Sequence, residues 1–211
     1  MSHVKHLIAL AADKSIKLTV DELIRRPDAL GIRRLDEGAW ETIPHPRYDS
    51  GVVTAAHVFL RPQVNRYRFA VVICDRHGSG RSASREAIEA EIERNLQTCG
   101  WEQRCAAVVI DPELEIWLWV DSPHVAEVLG WRDRRDPNLR EWLHQQGYLQ
   151  RSQVKPSDPQ RAADHALALA QKRRSSAIFQ ELAKRVSLAG CRDPAFLKLR
   201  DTPRGWFPPA T

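Results

Sequence analysis

The stretch that decides the fold spans residues 67–119, YRFAVVICDRHGSGRSASREAIEAEIERNLQTCGWEQRCAAVVIDPELEIWLW. Residues 67–74 are dense in β-branched and aromatic side chains and stop at Asp75 and the glycine-punctuated turn RHGSG, the pattern of a buried strand. Residues 84–99 then read as a helix. Acids crowd its first turns, and Ile88, Ile92 and Leu96 share one apolar stripe until Gly100 ends it. Residues 105–110 (CAAVVI) are a second continuous apolar strand, which again delivers an acid, Asp111, at its carboxyl end. Strand, helix and strand at this spacing predict a right-handed crossover between parallel neighbours.

Upstream, residues 4–11 (VKHLIALA) suit a first buried strand and are followed by Asp13. Residues 19–30 (TVDELIRRPDAL) read as a helix that is interrupted or ended near Pro27. A second short strand is expected over 32–35 and a surface loop over 36–51, where the chain is polar and contains prolines. Residues 50–60 (SGVVTAAHVFL) read as a helix, from their alanines, their length and the stop at Pro62. Downstream, Pro112 suits the first turn of a helix running from Glu113 through Trp119, a second helix is expected over 122–129, and residues 159–199 read as two or three more. The expected architecture is therefore α/β, a mostly parallel central sheet flanked by helices over residues 1–150, with a helical extension over 151–211 packed on it.

The chain has 211 residues, and 32 Lys and Arg against 27 Asp and Glu leave a net charge of +5. This length supports a real core, and 43% apolar with 28% charged residues excludes a wholly disordered or collagen-like chain. No apolar run approaches the roughly 20 residues that span a bilayer. The opening MSHVKHLIALAADKS has only a short apolar stretch that meets Asp13 and Lys14, so it reads as a strand rather than a signal peptide. Cys74, Cys99, Cys105 and Cys191 show no zinc-type spacing, which points to free thiols in a reduced, cytoplasmic setting.

Ligands of open α/β sheets bind beyond the carboxyl ends of the strands. Acids recur there in this sequence: Asp13 after the first strand, Asp75 after the central one, Asp111 after the next, with Glu113 and Glu115 beyond Pro112. Carboxylates gathered on one rim repel unless protonated or neutralised, and hard oxygen donors suit Mg²⁺ or Mn²⁺. The competing reading is that these aspartates cap turns and helices. The turn DRHGSGRS lacks the spacing of a Walker loop, so Gly78 and Gly80 serve either an anion cradle or simply a tight turn. His77 is a candidate ligand or proton relay in that turn.

The order of these pieces, an acid after the first strand, DRHGSG after a central strand and DPELEIWLW after the next, resembles the Toprim-like proteins of bacterial defence islands, including a group associated with methylation-linked phage defence. The likeness covers about residues 1 to 130, and the closing LKLRDTPRGWFPP shares it. It implies a Toprim-like fold. In Toprim domains a glutamate after the first strand and a DxD pair after a later one hold Mg²⁺ for phosphodiester chemistry, which the resemblance places on Asp13 and on Asp75 with His77. Aspartate is shorter than glutamate and a neutral histidine adds no negative charge, so both substitutions weaken a Mg²⁺ site; Asp111 and Glu113 are candidates to compensate. The expected set is Asp75, His77 and Glu113 as catalytic residues, with Asp13, Asp75, Asp111 and Glu113 around Mg²⁺ or Mn²⁺ in a nuclease. The alternative is a non-catalytic adaptor that binds another protein of the defence system. Two basic clusters, Lys172, Arg173 and Arg174, and Arg132, Arg134 and Arg135, are candidate contacts for DNA, RNA or a protein partner. Tryptophans at this density read as core or interface before base-stacking.

Overall fold

The structure, a computed structural model, describes residues 4–131, 137–188 and 190–209; Arg132, Arg134 and Arg135 lie outside the described residues. Strand β1 (Lys5–Ala11) leads into helix α1 (Lys14–Arg25), which starts where the Asp13 carboxylate accepts the Ile16 N–H at 2.8 Å. A short helix α2 (Pro27–Leu30) closes on Gly31, whose φ of 64° is open to a residue without Cβ. Then follow β2 (Trp40–Pro44), α3 (Tyr48–Leu60), β3 (Tyr67–Asp75) and α4 (Arg85–Leu96), the last capped by the Ser84 hydroxyl. Strand β4 (Cys105–Ile110) completes the sheet. The rest of the described chain carries α5 (Pro123–Val128), α6 (Leu139–Gln145), α7 (Pro159–Leu169), α8 (Ser176–Arg185) and α9 (Pro194–Trp206).

The sheet is parallel throughout, in the order β2-β1-β3-β4. The chain steps outward from β1 to β2, returns across β1 to β3, and continues to β4. Strand order therefore reverses between β1 and β3, and the crevice beyond their carboxyl ends is the place where doubly wound folds take ligands. Right-handed crossovers put α1 on one face, packed against α8, and α3 with α4 on the other. Both faces of the central strands are buried, which is why 7–12, 70–74 and 106–110 read as continuous rather than alternating apolar runs.

The helices after residue 150 share this core. Ile178, Phe179, Leu182, Phe196 and Leu199 belong to the same apolar cluster as β1, β3 and β4. At the amino end of the sheet the indole of Trp206 stacks on Phe69, with centroids 4.7 Å apart, and Phe207 is buried beside both. No helix among the described residues is long and apolar enough to cross a membrane.

Three local expectations are corrected. No strand forms over 32–35; the second strand is Trp40–Pro44, inside the segment expected to be loop. It is an edge strand, short and broken by Pro44, so it lacks the apolar run that marks the central ones. The first helix begins at Lys14 because Asp13, not Thr19, caps it. Beyond Pro112 the chain makes only a 3₁₀ turn over Leu114–Trp117, since Glu113, Leu114 and Glu115 are each drawn to a different buried partner.

Candidate functional site

The rim over β1 and β3 is built by strand ends and the first turn of α3. Asp75 ends β3, and its backbone N–H donates to Asp49 Oδ1 at 2.7 Å. Asp49 can lie this close because residue 78 is glycine; a Cβ there would stand 2.2 Å from Asp49 Oδ2. The Asp75 side chain turns inward, and its Oδ1 is shut off from solvent with no hydrogen-bond partner among the described residues. Burial holds the Asp75 carboxyl well above the usual range, and Asp49, Glu115 and Asp13 raise it further, against a smaller opposing effect of the Leu114 amide. Burial also raises Asp49, with Asp13 adding to the effect while the Asp75 amide opposes it. Below them the Cys74 thiol, fully buried, is raised by burial and by the same acids, which removes it as a nucleophile.

Beyond β4 the two glutamates separate. Glu113 accepts the backbone N–H of Gln160, in the first turn of α7, at 3.1 Å, and its Oε2 lies 3.4 Å from Nδ1 of the exposed His77. The Gln160 amide, oriented to satisfy both neighbours, donates to Glu113 at 3.2 Å and accepts from Arg174 at 3.0 Å. Glu115 is buried more deeply and meets the Arg174 guanidinium, which also binds Asp164 at 2.9 Å. Burial raises the Glu115 carboxyl, and Arg174 opposes that rise.

The expected site residues are thus only partly brought together. Asp13 and Asp75 share the crevice, and His77 and Glu113 meet at its margin. Asp111 does not join them: it is half-exposed, faces Arg76 at 3.7 Å, and lines a separate cleft with Ser84, Arg85 and Asp193. Among the described residues no group of three or more His, Cys, Asp or Glu side chains is placed to hold a metal ion. The set of Asp13, Asp75, Asp111 and Glu113 therefore does not fit Mg²⁺ or Mn²⁺ in this arrangement: the Asp13 carboxylate caps α1, Glu113 is held by α7 and His77, and Asp111 points elsewhere. Only the orphaned Asp75 oxygen has the character of an unused ligand.

Of the basic cluster, Lys172 donates to the Val128 carbonyl at the end of α5 at 2.9 Å, and Arg174 is bound to Glu115 and Asp164; Arg173 remains exposed. Trp101, Trp119, Trp131 and Trp142 are buried, in keeping with a core role. Asp49 was hidden from sequence reasoning because it lies in the presumed loop; the one signal was an acid in the first turn of the helix over 50–60. The chain matches no family model, and no curated protein or solved structure is similar to it.

Proposed function

We propose that this chain serves a bacterial antiphage defence system as a Toprim-like binding module, a non-catalytic adaptor for another protein of that system. The observation that carries this reading is how the rim carboxylates are used. Asp13 is bonded to the Ile16 amide, Glu113 to the Gln160 amide, and Glu115 to Arg174, so the charges that would gather round a cation hold the fold together instead. Arg173 is the member of the basic cluster left free to meet a partner.

The nuclease reading is favoured by one specific observation, the buried and unpartnered Asp75 Oδ1 with Asp49 and Asp13 beside it. Two measurements separate the readings. For an adaptor, Glu113→Gln and Asp75→Asn proteins still protect cells against phage, and Mn²⁺ leaves the melting temperature unchanged. A melting temperature that rises with Mn²⁺ by mass action, with the rise abolished in Asp75→Asn, would transfer the assignment to a metal-dependent nuclease. Cleavage of DNA or RNA above a Glu113→Gln control would do the same.

A further inference from the structure

The two edges of the sheet are treated differently. On β4 the residues whose backbone faces outward are Cys105, Ala107 and Val109. The Ala107 N–H donates to Glu93 Oε1 at 2.9 Å and the Val109 N–H to Glu89 Oε1 at 3.0 Å. Lys198 of α9 holds both glutamates, at 2.7 and 3.0 Å, and Arg85 holds Glu89 at 2.8 Å. This edge is sealed by side chains against any added strand.

The β2 edge has no such seal. The backbone bonds from Leu7 N–H to Ala39 O and from His45 N–H to Ala11 O show that odd-numbered residues face β1. Trp40, Thr42 and Pro44 therefore face outward, and the Trp40 and Thr42 amides have no hydrogen-bond partner among the described residues. The edge borders a groove of about 940 Å³. Thr42 is 4% exposed, yet its Oγ1 is buried without a partner. A buried hydroxyl left unpaired is unfavourable, and in a native structure it marks a place where something is missing.

We infer that the β2 edge pairs with β2 of a second copy of this chain, antiparallel about a two-fold axis at Thr42, joining two four-stranded sheets into one. Three features select a second copy rather than an unrelated segment. An axis at Thr42 sets the residue opposite its twin, where the two amides and carbonyls exchange bonds and the two hydroxyls come within reach of each other on one face. The same register sets each Trp40 N–H against the Pro44 carbonyl of the other copy, so that the missing N–H of Pro44 leaves unmet only the Trp40 carbonyl at the end of the ladder. The groove walls carry both signs, Arg25 and Arg34 against Asp36 and Glu37, and an isologous interface needs such a self-complementary surface because each patch meets itself. The inference is independent of the adaptor reading.

The test is the mass of the intact chain by light scattering over a concentration series, together with amide hydrogen exchange. The expected mass rises with concentration from 24.1 kDa to twice that value, and the Trp40 and Thr42 amides become protected as it does. Thr42→Pro removes only the outward donor, a substitution edge strands tolerate, and should weaken the dimer by at least about tenfold while the circular dichroism of the chain is unchanged. The exchange result on the wild type stands even if that variant misfolds. A chain of 24.1 kDa at every concentration overturns the inference. So does a dimer in which the two amides exchange as fast as in the monomer, or a folded Thr42→Pro chain that dimerises as the wild type does.

Discussion

Asp75 shows how burial and charge act on one side chain. Its carboxyl sits among Asp49, Glu115 and Asp13 in a site closed to water, so the folded chain holds a proton there that the unfolded chain releases at lower pH. In the interval between the unfolded and the raised folded pKa the native state binds more protons, and stability falls as pH rises through that interval. Asp75→Asn removes the charge but keeps the shape. It should raise stability at pH 7 by on the order of 1 kcal/mol and flatten the decline, measured as melting temperature from pH 4 to pH 8. A variant that melts lower than the wild type at pH 7 and keeps the same pH dependence would show that the ionised carboxylate is already satisfied. Asp75 stood out in the sequence because an acid directly follows the strongest apolar run in the chain. What the sequence did not carry is the company it keeps: Asp49 arrives from α3 through the glycine at 78, a contact between residues 26 apart in the chain.

At the scale of elements, β3, α4 and β4 were legible because each has a strong period or a continuous apolar run that burial on both faces demands. The acids of α4 were read as complements to the helix dipole. The fold gives Glu89 and Glu93 a second task, since both point at the outer edge of β4, and only the pairing of α9 with α4 makes that arrangement electrically neutral. Strand β2 escaped notice for the opposite reason: five residues with one proline and two polar side chains carry almost no pattern, and its place depends on the register against β1. Replacing both Glu89 and Glu93 by Ala should leave Lys198 without its partners and unmask the β4 amides, destabilising the chain by about 1–3 kcal/mol. Hydrogen exchange at Ala107 and Val109 should quicken while exchange in β1 and β3 stays slow. Unchanged exchange at those two amides would mean that another group covers the edge.

For the whole molecule, the strand order places the working crevice, and the helices after residue 150 determine how its margin is finished. The post-β4 segment cannot satisfy its own polar groups. Trp117 Nε1 donates to Asp193 at 2.9 Å and Trp119 Nε1 to the Pro159 carbonyl at 3.0 Å, while Glu113 and Glu115 depend on Gln160 and Arg174. On the same side of the sheet α8 packs on α1, and the Arg26 guanidinium donates to the carbonyls of Ala183 and Val186. A chain cut after residue 150 would expose the apolar faces of α1 and β3, including Leu23 and Phe69, and leave two buried glutamates without their donors. An unpaired buried charge and a lost apolar face each destabilise by several kcal/mol, a large part of the roughly 5–15 kcal/mol that hold a domain together. Residues 1–150 alone should therefore give no cooperative thermal transition by circular dichroism, whereas the full chain should unfold in a single one. A fragment that melts cooperatively near the temperature of the full chain would show that the carboxyl helices dock on a core able to stand without them.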